Sequence, residues 1–159
     1  LNKLNEDFHE IFKDVDNIVL RDGMDVAFCA IDINDMILEY AGAFCPLYLI
    51  RDNKITEIKG DRFAIGLDEI NFKDQSFKNH MIPLQEGDII YIFSDGYADQ
   101  FGGPDGKKFK YRRFRHLLLN IHQLPMESQQ DILETSLREW KGEHEQVDDI
   151  MVIGIKVDF

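Results

Sequence analysis

The chain has 159 residues, 44% of them hydrophobic and 30% charged, a balance that supports one folded domain and excludes an intrinsically disordered segment. Eighteen Lys and Arg against 30 Asp and Glu leave a formal net charge of -12 at pH 7, which opposes non-specific attraction to nucleic acid or anionic lipid and is compatible with divalent cations. No apolar run reaches the ~20 residues of a membrane-crossing helix, and the start lacks the basic-then-apolar order of a secretion signal, so a cytoplasmic location without membrane contact by this domain is expected.

Leu1, Leu4, Phe8, Ile11, Phe12 and Val15 recur at helical spacing and predict an amphipathic helix already under way at the first residue, as in a chain cut from something longer. After Asp22-Gly23, residues 25–33, a turn at Asn34-Asp35 and residues 36–41 read as a β-hairpin. Residues 47–50 and 54–58 flank Asp52-Asn53 as a second hairpin, and the polar stretch to about Asp74 reads as irregular. Residues 77–82 and 88–94 are expected strands. The latter is an almost unbroken apolar run, which suits a strand covered on both faces at the centre of a sheet.

Beyond the glycine-rich loop 101–106, Phe114, Leu117, Leu118 and Ile121 form one helical stripe, and Leu133, Leu137 and Trp140 form another. The run 150–157 is again mostly apolar and is expected as a second interior strand beside 88–94. Cys29 and Cys45 sit among apolar residues, match no metal or redox spacing, and are expected to be buried free thiols. No internal repeat or linker divides the chain, so residues 1–159 are read as a single domain.

Common enzyme fingerprints are absent. The Gly106-Lys107-Lys108 step fails the phosphate-loop pattern, because Phe101 stands five positions before Gly106 and Lys108 replaces the hydroxyl residue. None of the five histidines has a partner at ligand spacing. Ser94-Asp95-Gly96 places a carboxylate at the tip of the most apolar strand, a position where sheets commonly carry functional groups. Asp148-Asp149 precedes the last apolar run, and two carboxylates beside a buried strand cost stability unless a cation or hydrogen bonds compensate them. Either motif alone reads equally well as a turn or a solvated strand start. Together they suggest oxygen donors for Mg²⁺ or Mn²⁺.

Lys107, Lys108, Lys110, Arg112, Arg113 and Arg115 are interleaved with Phe109, Tyr111 and Phe114. With a net charge of -12, this segment is expected to be a solvated or phosphate-facing rim at a helix start, its aromatics in the core, and not a nucleic-acid patch.

The ordered series Asp22-Gly23-Met24-Asp25-Val-Ala27, Tyr40-Ala-Gly-Ala43 with Pro46-Leu-Tyr-Leu-Ile50, Ala64-Ile-Gly66, Leu84-Gln-Glu-Gly-Asp88, Phe93-Ser-Asp-Gly96, Phe101-Gly-Gly-Pro104 and Val147-Asp-Asp-Ile150 resembles the SpoIIE-type branch of the metal-dependent type 2C protein phosphatases over nearly the whole chain. The resemblance implies an α+β fold, an α-β-β-α sandwich of two mostly antiparallel sheets flanked by helices. It also implies a binuclear Mn²⁺ or Mg²⁺ centre that hydrolyses phosphoserine or phosphothreonine with metal-activated water. Asp95 and Asp148 fall on the family's metal-ligand positions, Asp149 on the adjoining place, and Ser94 and Gly96 on supporting ones.

Two departures matter. Ala43 stands where many relatives carry histidine, and the family's earlier acidic and bridging Asp-Gly motifs have no counterpart; Asp22-Gly23 is no substitute, because a strand follows it. The resemblance therefore implies the C-terminal portion of a phosphatase domain, inactive by itself. Its parent would be a bacterial signalling protein with upstream sensor domains, a phosphorylated anti-anti-sigma (STAS-like) substrate and the option of a homodimer. A non-catalytic interaction or dimerisation module on the same fold is the alternative.

Overall fold

The computed structural model describes residues 1–12, 23–66 and 76–158. The elements run α1 (Asn2–Phe12), β1 (Val26–Asp32), β2 (Ile37–Ala43), β3 (Leu47–Arg51), β4 (Lys54–Ile58), β5 (His80–Pro83), β6 (Ile89–Phe93), α2 (Gly96–Asp99), β7 (Phe101–Gly102), β8 (Lys107–Lys108), α3 (Tyr111–Ile121), α4 (Met126–Lys141) and β9 (Val152–Lys156). They fall into two compact units, Leu1–Leu47 with Ile58–Leu84, and Tyr48–Glu57 with Gln85–Phe159.

In the first unit an antiparallel sheet has the order β1-β2-β5, with Val26 opposite Ala43, Asp32 opposite Ile37 and Tyr40 opposite His80. The expected hairpin forms because Asp32 Oδ1 accepts the amides of Asn34 and Asp35 at 2.8 and 3.1 Å, closing the turn with a side chain that imitates a backbone acceptor. Cys29 and Cys45 are thiols outside any disulfide and only half-buried, so the expectation of full burial fails.

The helix α1 meets its unit through Leu1, Asn5 and Phe8, not through the full apolar stripe: Leu4 and Ile11 are 41% and 67% exposed, whereas Asn5 is 2% exposed. Two polar side chains decide this orientation. Asn5 Oδ1 accepts the Gly66 amide at 2.9 Å and Asn2 Oδ1 accepts the Phe77 amide at 2.7 Å, so the helix face that supplies backbone acceptors is turned inward. Val15, Asp22 and much of the polar stretch to Asp74 lie outside the described residues.

The second unit contains most of a four-stranded sheet of order β4-β3-β6-β9. Asp52 and Asn53 at φ 51° and 59° form the expected tight turn between β3 and β4. The strand β6 is interior and almost wholly buried, as its apolar run requires. Its entry is fastened by Asp88, 1% exposed, which accepts two hydrogen bonds from Arg51 at 2.8 and 2.6 Å and one from the Gln85 amide at 2.9 Å.

The strand β9 pairs antiparallel with β6, from Ile89 opposite Lys156 to Phe93 opposite Val152, so the expected adjacency holds. Among the described residues, however, β9 is an edge strand, with Ile153 41% exposed and Met151, just before the strand, 49% exposed. An apolar run registers what a strand can bury; whether cover exists depends on neighbours that the run does not encode.

One core of aromatic side chains unites β3, β6, α2, α3 and α4. The Phe114 ring lies 4.9 Å from Phe93 and 4.7 Å from Tyr97, and Phe109 meets Trp140 edge-on at 5.4 Å. The stretch 101–106 is a hairpin, not an open loop, with Phe101 opposite Lys108. Its Gly102 lies so close to α4 that an added Cβ would stand 1.8 Å from the Trp140 carbonyl oxygen.

Candidate metal centre

Antiparallel pairing of β6 with β9 brings the exit of one strand beside the entry of the other, and the ladder continues one step past both. The Ser94 amide donates to Met151 O at 3.0 Å. The Ser94 hydroxyl donates to Asp149 O at 2.7 Å and accepts from the Met151 amide at 2.9 Å. Gly96 permits this approach, because a Cβ there would lie 2.4 Å from Asp149 O.

Asp95 occupies the N-cap position of α2, yet its carboxylate makes no capping hydrogen bond and is left for other partners. Its carboxyl is raised above the ordinary aspartate range, first by partial burial at the strand end and then by the negative charges of Asp148 and Asp99, against smaller opposing effects of a hydrogen bond from its own main-chain amide and of Lys108. The two expected ligands are thus near enough to repel each other. Lys108 is engaged with Asp99 at 2.6 Å.

Asp148 and Asp149 are exposed, so burial of adjacent carboxylates gives no reason for a cation; the repulsion between Asp148 and Asp95 does. Asp148 Oδ1 accepts the Asp149 amide at 2.7 Å, and Asp149 joins the strand ends through its main-chain oxygen. Two neighbouring carboxylates suit one hard divalent cation whose remaining coordination comes from water. No group of three or more His, Cys, Asp and Glu side chains is placed to hold a metal among the described residues, so the pair fits part of a metal site and supplies no bridge between two ions.

Sequence reasoning missed Gln100. It is fully buried, its Nε2 donates to Glu145 O at 2.9 Å and Phe101 O at 3.0 Å, and its main-chain oxygen accepts from Trp140 Nε1 at 3.0 Å. A glutamine at the end of a one-turn helix carries no pattern that would announce these contacts. The basic segment is also more committed than expected. Phe109 and Phe114 are buried but Tyr111 is 37% exposed; Arg113 stacks 4.5 Å from the Trp140 ring centre, and Arg115 donates to Tyr48 Oη at 2.8 Å and to the Glu57 carboxylate.

The fold is that of the type 2C protein phosphatase domains. It aligns with the SiaA-PP2C domain of Pseudomonas aeruginosa at 32% identity and a TM-score of 0.83, covering 98% of this chain and 59% of that one. It aligns with the phosphatase domain of the cell fate determinant SpoIIE from Bacillus subtilis, presoaked with Mn, at 15% identity and a TM-score of 0.61, over 98% of this chain and 64% of that one. The RsbU and RsbW domains of a Mycobacterium tuberculosis protein match at 19% identity and a TM-score of 0.66, over 91% of this chain and 38% of theirs. A search of curated protein sequences finds no match.

The family model of stage II sporulation protein E matches residues 1–158, and the chain belongs to the SpoIIE family. It spans 59% of the length of the Pseudomonas aeruginosa domain.

Proposed function

We propose that these residues form the later portion of a metal-dependent protein serine/threonine phosphatase domain. The observation that supports the reading is the β6–β9 pairing, which brings the strand end followed by Asp95 beside the strand start preceded by Asp148 in a chain of the SpoIIE family. Asp95 and Asp148 would hold a divalent cation, Mn²⁺ or Mg²⁺, with Asp149 a lesser candidate through its carboxylate. Such an ion, when bound, activates water and neutralises charge developing on a phosphoryl group.

The chain's own part is positional. Ser94 locks the two strand ends together, Gly96 lets them approach, and the carboxylate of Asp95 makes no capping hydrogen bond to α2. Residues beyond these 159 would supply the remaining ligands, in keeping with the greater length of the structural relatives, so the 159-residue chain is expected to be inactive alone. The parent is read as the output of a cytoplasmic signalling protein with upstream sensor domains. An anti-anti-sigma (STAS-like) phosphoprotein is the proposed substrate; the neighbour that joins an RsbU to an RsbW domain supports that class of partner.

The test is phosphate release from a phosphoserine protein during Mn²⁺ titration, on the 159-residue chain, the parent, and parent Asp95→Asn and Asp148→Asn. Activity is expected in the parent alone. Robust turnover by the short chain, or full activity in either variant, overturns the assignment, and an inactive parent points to the non-catalytic module.

A further inference from the structure

We infer that Gln100 is a positioning residue that sets Asp148 against Asp95 by clamping the near end of the 145–149 loop; this rests on the metal-site reading above. The short segment 94–100 grips that loop twice. At one end Ser94 donates to Asp149 O, and at the other the Gln100 amide donates to Glu145 O. Between the two anchors the loop carries Asp148, whose own main-chain oxygen accepts from Gln146 Nε2 at 2.8 Å. Asp95 and Gln100 flank the same one-turn helix α2, so the segment that presents one carboxylate also fixes the loop presenting the other.

Two features separate this role from ordinary packing. Gln100 is 0% exposed, and its Oε1 has no hydrogen-bond partner among the described residues. A buried acceptor without a partner is a cost that an apolar side chain of the same shape would avoid, so the amide is explained by what its Nε2 holds. Glu145 O is the more distant of its two acceptors in sequence, the other belonging to the next residue, Phe101. Trp140 and Phe109 bind the Gln100 main-chain oxygen and hold the residue in place without using the side chain.

The experiment uses the 159-residue chain labelled with ¹⁵N and Mn²⁺ alone as the probe. Paramagnetic broadening of the Asp95 and Asp148 amides is followed in the unsubstituted chain and in its Asp95→Asn, Gln100→Met and Tyr91→Phe variants. The unsubstituted chain is expected to show broadening centred on both aspartates, lost in Asp95→Asn. Gln100→Met, close in shape but without donors, is expected to need at least about tenfold more Mn²⁺, the usual effect of removing a partner that orients a ligand, and to exchange its 146–149 amides faster. Tyr91→Phe removes a buried hydrogen bond to Gln129 elsewhere and should lower stability without changing the Mn²⁺ requirement.

If Gln100→Met does not fold, Gln100→Asn takes its place, since its amide falls one methylene short of Glu145 O. An unchanged Mn²⁺ requirement in a folded Gln100 variant overturns the positioning role and leaves the metal site standing. Absence of localised broadening in the unsubstituted 159-residue chain, or its survival in Asp95→Asn, overturns the site itself and the role built on it.

Discussion

Replacing Gly96 by alanine tests how tightly the two strand ends are held. The new methyl would stand 2.4 Å from Asp149 O, 2.9 Å from Asp149 C and 3.1 Å from Ile150 Cγ1. A carbon and a carbonyl oxygen settle at about 3.3 Å, so the loop or α2 must retreat by about 0.9 Å. If Asp149 moves directly away, the 2.7 Å hydrogen bond from Ser94 stretches to about 3.6 Å and is lost. Overpacking costs about 1–3 kcal/mol and the lost bond about 1 kcal/mol, offset by at most about 1 kcal/mol of helix propensity gained over glycine.

A net destabilisation of about 1–3 kcal/mol follows, read by urea titration and by a Tm lowered about 2–4 °C for each kcal/mol. Amide exchange at Met151, whose N–H donates to Ser94 Oγ, should accelerate in the same variant. Gly87→Ala is the comparison: at φ 82° with nothing within 4 Å, it pays for a left-handed alanine but displaces no loop, and should leave Met151 exchange at the rate set by global stability. An unchanged or higher Tm in Gly96→Ala, or Met151 exchange no faster than in Gly87→Ala, would refute the reasoning.

Tyr40, Tyr91 and Tyr97 are buried, and burial raises their phenols, Tyr91 to about 12 and the other two further still. The unfolded chain releases these protons near pH 10, so stability is fully present below about pH 10 and falls above it, by up to about 1.4 kcal/mol per residue per pH unit. Urea titrations from about pH 9 to about pH 11 should show this fall, and Tyr97→Phe should make it shallower; an identical slope would count against the account. In the basic segment Arg112→Glu should change stability by under about 0.5 kcal/mol. Arg113→Glu should cost about 1 kcal/mol through its lost stacking on Trp140 and its bond to Phe109 O. Sub-micromolar nucleic-acid binding abolished by either change would overturn the rim assignment.

Hairpins and helices were legible because their causes are local. Asp32 closes its own turn within three residues, Asp52-Asn53 tolerate the left-handed backbone, and Phe114, Leu118 and Ile121 share a helix face whatever lies opposite. The buried run Ile89–Phe93 also declared itself, since five successive apolar residues need cover on both faces. The expected adjacency of the two apolar runs also puts Asp95 and Asp148 at neighbouring strand ends; the antiparallel register that joins strands some sixty residues apart is encoded by no local pattern.

The tertiary structure alone decided the rest. Ile150–Val157 looked interior and lies at an edge, Leu4 and Ile11 looked buried and face outward, and Tyr111 left the core that Phe109 and Phe114 entered. In each case composition records a side chain's capacity for burial, whereas actual burial depends on which surface arrives opposite it. Gln100 is the sharper instance. Its importance lies in an amide reaching the carbonyl of Glu145, a contact across forty-five positions. A main-chain oxygen is the same acceptor at every residue, so only the folded path of the chain determines which one the amide finds.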